Sequence, residues 1–473
     1  MDTAANWDFT LSNYDDVWRI LVQVGLLLIF LLIGNLLRNI VPFFRKCLIP
    51  SALLGGALLL LVDYICKQFG FMLVDNHTMQ VITYHGLGLG FAAMTLKTEK
   101  TKCKIRRSQT FEFGVLQGGT YMLQAWTGLA VTLAMYFITI NGKNVISYIS
   151  GILLPLAFGQ GPGNALAWDI DYSNLSQTQF YGNGSFGLSL ASIGFIVASV
   201  IGVLHINISK SKGQIKLRKE KRTSMEENAQ FAASNEIPNN ESVDKFSIQM
   251  GFVALAYAMA FGIMCIFAVL SDFTNGIAWG FNFLWAALSA MLIKVVFRKL
   301  RKRNIVKREY INNYQMDRIS GFAFDLMIVA GVAAIEINDI KNYVLPIAIL
   351  TVVGTITTYF YIRKVAKHCF PEFQHEFFLM SFGTLTGTAS NGVILLKEVD
   401  PEFETPVADL YIKSTVPAML MVAPLLFLLG FAGKSLVNTI IAFGVFFLLF
   451  CFYTLFLFRK KIFKKKPKDD IDS

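Results

Sequence analysis

Residues 153–168 read LLPLAFGQGPGNALAW, and residues 378–395 read FLMSFGTLTGTASNGVIL. When Phe158 is aligned with Phe382, both stretches carry the pattern FGxxxGxA, at a separation of 224 residues. Both are apolar, but glycine and polar residues interrupt them too often for an ordinary membrane-spanning helix. Non-helical backbone at membrane depth is tolerated only where it is buried in protein or lines a water-filled cavity. The two stretches therefore predict a pair of broken helical elements inside a membrane protein.

The composition agrees with a lipid environment. Hydrophobic residues make up 54% of the 473 residues and charged residues only 16%, whereas about a quarter of a soluble chain is charged. The mean hydropathy is +0.51, and the apolar segments are spread along the whole chain. About 20 apolar residues cross a bilayer as a helix. On that basis we predict an all-α membrane protein with about eleven spans, at 17–37, 49–67, 78–96, 112–140, 184–208, 246–270, 277–297, 319–337, 343–363, 408–431 and 435–458.

Lys and Arg are concentrated in alternate loops, which predicts the orientation because cytoplasmic loops carry the positive excess. The basic regions are 38–46, 97–107, 210–222, 298–308, 363–367 and 459–468. This places residues 1–16 outside and the tail 459–473 in the cytoplasm, as in a multi-pass protein of the cell membrane. The formal charge of +11 resides in these short loops, so we predict no nucleic-acid partner.

The polar linker 209–245 divides the chain into two halves, 17–208 and 246–431, and the span 435–458 is additional. The first interrupted segment, 146–167, is entered from outside, and the second, 376–396, from inside. Each follows the fourth span of its half and precedes the fifth. This arrangement predicts re-entrant hairpins in two inverted-topology halves, which meet near the bilayer midplane. The alternative is that the glycines only permit close helix packing.

The hairpin backbone suggests the chemistry of the site. Free N–H groups at helix N-termini attract anions, while carbonyl and hydroxyl oxygens coordinate a small hard cation. An anionic solute coupled to sodium is the interpretation that this backbone favours, with helix capping as the alternative role of the polar side chains. The candidate binding residues are Gly159, Gln160, Gly161, Gly163, Asn164, Gly383, Thr384, Thr386, Gly387, Thr388, Ser390 and Asn391.

Two charged residues within predicted spans are further candidates, because intramembrane charges are costly. Asp325 is predicted either to ligate the coupling cation or to pair with Arg318. Lys413 is predicted to bind a substrate carboxylate or to replace sodium, unless its stem extends to the membrane interface. Asp169, just after the first hairpin tip, is expected to be solvated outside.

The sequence contains no HExxH and no GxxxxGK[ST] motif, and its six cysteines have no paired spacing. We therefore predict no enzyme, no cofactor beyond sodium as coupling ion, and no ATP-driven pump.

The hairpin residues resemble the sodium/glutamate symporter family. The likeness rests on GQGPGNALAW at 159–168, on Phe382 to Gly392, on GLGLGFAAMTLK at 86–97, on GFAFDLMIVAGVAAIEI at 321–337, and on Val416 and Pro417. The resemblance implies a sodium-coupled importer of L-glutamate or a close acidic amino acid. It also implies a homodimer, with a transport part moving against a scaffold part as in elevator-type carriers. The eleventh span and Lys413 depart from the family pattern.

Three alternatives remain open. The same architecture could carry a dicarboxylate or tricarboxylate, or couple to protons. The third alternative is that the protein is an ion channel. The absence of an arginine at either hairpin tip favours an amino acid over a multiply charged carboxylate.

Overall fold

The computed structural model describes residues 16–97, 106–140, 143–144, 146–178, 180–215, 244–270, 279, 282–305, 310–400 and 404–462. Most of the N-terminal segment 1–16, the linker 209–245 and the tail 459–473 therefore lies outside the described residues. The described chain is almost entirely helical, apart from one two-residue ladder between β1 (Thr139–Ile140) and β2 (Lys143–Asn144).

The helices follow one another in chain order. They are α1 (Asp16–Ile40), α2 (Pro42–Lys46), α3 (Ser51–Gln68), α4 (Asn76–Leu96), α5 (Arg107–Tyr136), α6 (Leu154–Gly159), α7 (Pro162–Asn174), α8 (Ser185–Ser211), α9 (Lys245–Leu270), α10 (Asn282–Lys302), α11 (Asn313–Ala333), α12 (Ile337–Ile340), α13 (Val344–Cys369), α14 (Gln374–Thr386), α15 (Ala389–Lys397), α16 (Val407–Ala432) and α17 (Leu436–Ile462). Short 3-10 turns lie at Ser150–Leu153, Ser176–Thr178, Lys341–Tyr343 and Pro371–Phe373.

The helices confirm the prediction of an all-α, multi-pass membrane protein. Within the described residues, seven helices are long and apolar enough to cross a membrane: α1, α3, α8, α9, α13, α16 and α17. Helices α4, α5, α10 and α11 occupy the other four predicted positions and are at least 21 residues long. They carry too many polar or charged residues to meet the same criterion.

Helices α1, α3, α4, α9, α10 and α11 pack together into what we call the first bundle. At its centre, α4 and α11 run antiparallel. Gly86 lies against Met327, and at the far end of α4 the Lys97 Nζ atom is 2.5 Å from Asp317 Oδ1. A Cβ atom on Gly86 would lie only 3.1 Å from the Met327 Cβ atom. Glycine at this position therefore allows the two helix axes to approach closely.

The second bundle consists of α5 to α8 and α13 to α17, with α5 in its middle. Helix α5 is parallel to α16, since Gly114 packs on Pro417 and Gly118 on Met421. It is antiparallel to α17, whose phenylalanines pack on Trp126. The predicted additional span is thus an integral part of this bundle.

Helix contacts in the first half of the chain have counterparts in the second half. The pair α1 and α3 corresponds to the pair α9 and α10, and the contact of α3 with α11 corresponds to that of α10 with α4. Likewise, the contact of α5 with α16 corresponds to that of α13 with α8. The pairs α4 with α11 and α5 with α13 each join a helix to its own counterpart. The two halves therefore share one pattern of helix packing.

Candidate functional site

The first interrupted segment is a helix broken at two residues, Gln160 and Gly161. Helix α6 ends at Gly159 and α7 begins at Pro162. Proline has no N–H to donate and stabilises the first turn of a new helix. Gly161 has φ of +86°, a left-handed conformation that glycine adopts without strain. The sequence GQGP therefore ends one helix and starts another.

The second interrupted segment is a helical hairpin. Helix α14 ends at Thr386 and α15 begins at Ala389, and the two helices pack against each other. A Cβ atom on Gly383 would lie 2.7 Å from both the Cα and the N atom of Gly392. The backbones of α14 and α15 are thus in direct contact, which only glycine at position 383 allows. Both breaks fall where the glycine pattern predicts them.

The two tips meet. A Cβ atom on Gly161 would lie 3.6 Å from Thr388 Cγ2, which is ordinary van der Waals contact between the first tip and the second. Both tips line one cavity of about 120 Å³. Gly159 and Gln160 contribute from the first tip, and Thr384 and Thr388 from α14 and the second tip.

The cavity lies between the two bundles, and its two sides differ in polarity. The first bundle contributes Leu87, Phe91, Met94, Thr95, Phe283, Leu284, Ala287, Phe324 and Met327. Apart from Thr95, this wall is apolar. The second bundle contributes the tips and several hydroxyl and amide side chains of α5 and α16. Within the described part of the chain, no Asp, Glu, Lys, Arg or His side chain lines the cavity.

One face of α5 holds both broken helices in place. The Tyr121 hydroxyl donates to the Gly159 carbonyl at 2.8 Å, at the end of α6. The Gln124 amide donates to the Leu385 carbonyl at 2.8 Å, near the end of α14, and to Thr358 Oγ1 at 3.0 Å. These bonds satisfy carbonyl groups that a helix C-terminus leaves without an intrahelical partner.

These α5 residues are not among those predicted from the sequence. Gln117 also lines the cavity, and its amide donates to Ser414 Oγ at 3.0 Å. The spacing 117, 121 and 124 places three polar side chains on one face of a helix. That spacing is visible in the sequence, and it predicts that the polar face of α5 packs against another element.

The helices that start at the two tips have N-termini without side-chain caps. Gly161 has no side chain to cap α7, and the Thr388 side chain does not cap α15. Instead, the Thr388 hydroxyl donates to Asn391 Oδ1 at 3.0 Å. The Asn391 Nδ2 atom is buried, and no described residue accepts a hydrogen bond from it. Uncapped N–H groups and a free amide donor form a local environment that suits an anion.

The other predicted tip residues mostly contact neighbouring protein groups. Asn164 donates to Gln160 Oε1 at 2.8 Å, and Gly163 packs against Leu87. The Thr386 hydroxyl donates to the Phe382 carbonyl of its own helix at 2.6 Å. Gly387 packs against the Asn391 amide. Ser390 belongs to α15, but its side chain lies outside the described residues.

The structure does not bring Asp325 and Lys413 to the cavity. Asp325 is exposed on the outer face of α11, and Arg318 binds the Tyr314 hydroxyl at 2.9 Å instead of pairing with Asp325. Lys413 is half-buried. It follows the cavity residue Tyr411 by two positions, which is about 200° around a helix of 3.6 residues per turn. Its side chain therefore leaves α16 on the opposite face.

The expectation that Asp169 is solvated is wrong. Its side chain is fully buried and accepts hydrogen bonds from Gly187 N at 2.6 Å and Ser173 Oγ at 3.3 Å. It joins α7 to α8, so the carboxylate stabilises the first broken helix. The reason is that α8 packs against α7, which brings the Gly187 amide to this carboxylate.

Among the described residues, no group of three or more His, Cys, Asp or Glu side chains is arranged to hold a metal ion. The fold and the cavity define a multi-pass α-helical membrane protein with a neutral, partly polar site between two bundles. No protein-family model matches the chain, and no curated protein matches it either.

Proposed function

We propose that the protein is a secondary transporter that imports L-glutamate or a close acidic amino acid together with sodium, by alternating access. The observation that carries this proposal is that two broken helices, one from each half of the chain, meet at a single cavity. Paired broken helices at the junction of two repeats are the usual substrate and ion site of secondary transporters.

The proposed membrane architecture has eleven spans and two re-entrant hairpins in two inverted halves. The repeated pattern of helix contacts supports it, and so does the antiparallel packing of α4 on its counterpart α11. We place the protein in the cell membrane, with its N-terminus outside and its C-terminus in the cytoplasm, because Lys and Arg are concentrated in the corresponding loops.

The substrate class follows from the electrostatics of the cavity. The uncapped N-termini of α7 and α15 offer partial positive charge for a carboxylate. The ends of α6 and α14 are C-termini with partial negative charge, which suits an ammonium group. A zwitterion with one further carboxylate therefore needs no Lys or Arg side chain in the cavity.

Sodium is the proposed coupling ion because the tips present neutral oxygen atoms. Carbonyl and hydroxyl oxygens are preferred by hard cations. The Thr384 and Thr388 hydroxyls, the Gln160 side chain and the Gly159 carbonyl belong to or border the cavity.

An elevator-type motion fits the asymmetry of the cavity. The apolar wall of the first bundle offers few hydrogen bonds to a neighbour. A second bundle that carries the tips can therefore slide along this wall at little cost in broken hydrogen bonds. The first bundle would then be the scaffold, and a homodimer formed through it remains a prediction.

The proposal is tested by uptake of labelled L-glutamate into proteoliposomes, with and without an inward sodium gradient. We expect accumulation that requires the gradient. A matched set of vesicles with an inward proton gradient and no sodium serves as the control. Glutamate accumulation driven by protons alone would contradict the proposed coupling to sodium. If only dicarboxylates or tricarboxylates accumulate, the substrate assignment is wrong while the architecture stands.

A further inference from the structure

A second pocket lies in the second bundle, away from the cavity between the tips. It is formed where α8, α13 and α14 come together, and the residues that line it include His205, Arg363, Lys367, Gln374 and His375. Its buried floor contains His205, which is 4% exposed. The Arg363 and Lys367 side chains lie at its exposed rim.

The floor of the pocket is a chain of polar contacts. His205 Nδ1 is 2.9 Å from the Tyr359 hydroxyl, and His205 Nε2 is 3.3 Å from His375 Nδ1. His375 Nε2 is in turn 3.4 Å from the Gln374 amide. The His205 ring also stacks on Phe378, with 4.0 Å between ring centroids. The imidazole pair is thus held in a fixed position by both polar and aromatic contacts.

The charge in this pocket is of one sign. Arg363 and Lys367 are four residues apart on α13 and therefore lie on the same face of the helix. Among the described residues, Lys367 makes no ion pair, and no Asp or Glu lines the pocket. Gln214 and Gln374 add neutral amide donors. A cation is disfavoured beside two fixed positive charges, whereas an anion would be attracted by them.

We propose that this pocket binds a phosphate group, supplied either by a lipid headgroup or by a soluble phosphate. Guanidinium, ammonium and amide donors around one pocket match the acceptor oxygens of phosphate. The pocket borders the start of α14, and Thr386 at the hairpin tip follows His375 by 11 residues, or about 17 Å of helix. A phosphate bound there steadies the base of the second hairpin. The proposal does not depend on the identity of the transported solute.

The test uses the purified full-length protein and a double variant, R363Q/K367Q, in which the two rim charges are removed. Binding of inorganic phosphate is measured by calorimetry in neutral detergent. Retention of phosphatidylglycerol against phosphatidylcholine is measured by native mass spectrometry. We expect at least one of the two to bind, and the double variant to weaken that binding about tenfold or more, as loss of charge-assisted hydrogen bonds does.

K364Q is the matched control, because Lys364 is also exposed on α13 but contacts the Phe458 ring of α17. It should bind like the unmodified protein, and R363K/K367R, which keeps both charges, should retain binding. Phosphate binding in detergent identifies a soluble source, and retention of phosphatidylglycerol alone identifies a lipid source. If neither ligand binds, or if R363Q/K367Q binds as tightly as K364Q, the proposal is wrong.

Discussion

Replacement of Ala287 by tryptophan is expected to reduce solute uptake about tenfold or more, the effect of losing roughly 1.4 kcal/mol of binding free energy. Ala287 lies on α10 in the apolar wall that faces the two tips, and it is 2% exposed. An indole at this position fills space that the solute would occupy beside Gln160 and Thr388. The backbone of both tips and the polar face of α5 are left unchanged.

The matched control is Leu288→Trp. Leu288 is the next residue of the same helix, but it is 39% exposed and faces away from the core. This variant should transport at nearly the unmodified rate. Both proteins are compared for monodispersity by size-exclusion chromatography, which separates a blocked cavity from a misfolded chain. If monodisperse Ala287→Trp protein transports at the unmodified rate, the cavity between the bundles is not the substrate site.

Replacement of Gly383 by valine is expected to abolish uptake. A Cβ atom at this position would lie 2.7 Å from the Gly392 backbone, and backbone atoms cannot rotate away as a side chain can. Helices α14 and α15 must therefore separate, at a cost of about 1–3 kcal/mol or more, as in other overpacked cores. The separation displaces Thr384 and Thr388 from the cavity. Uptake into proteoliposomes and the thermal midpoint of unfolding are measured together.

Gly262→Val is the control for the loss of a helical glycine. Gly262 lies in α9, and no described atom lies within 4 Å of a Cβ placed there. We expect normal uptake from this variant. If Gly383→Val protein is monodisperse and transports as fast as Gly262→Val protein, close packing of the second hairpin is not needed for transport.

The positions of the two helix breaks could be predicted from the sequence because their causes are local. The run from Gly159 to Pro162 combines a left-handed glycine with a proline, and the second break uses Gly387. The long apolar helices were predicted for the same reason, since apolar length is a property of each segment alone.

What the sequence could not predict are contacts between distant segments. The bond from Gln124 to Leu385 joins residues 261 positions apart, and nothing near Gln124 specifies that partner. The same limit explains why the positions of Asp325 and Lys413 could not be predicted. A charged residue in a span suggests a function because a charge inside the membrane is energetically costly. Whether its side chain faces the cavity depends on how its helix packs. The structure places both side chains away from the cavity.

Alternating access is tested most directly by the accessibility of the cavity from the two sides of the membrane. A single cysteine replaces Thr415, which lines the cavity on α16, in a variant whose six native cysteines have been replaced. Membrane-impermeant maleimide is applied to either side of sealed, oriented vesicles, with and without L-glutamate and sodium. We expect labelling from both sides, and slower labelling when glutamate and sodium are present together. Labelling from one side only, at a rate that glutamate and sodium do not change, would contradict alternating access at this cavity.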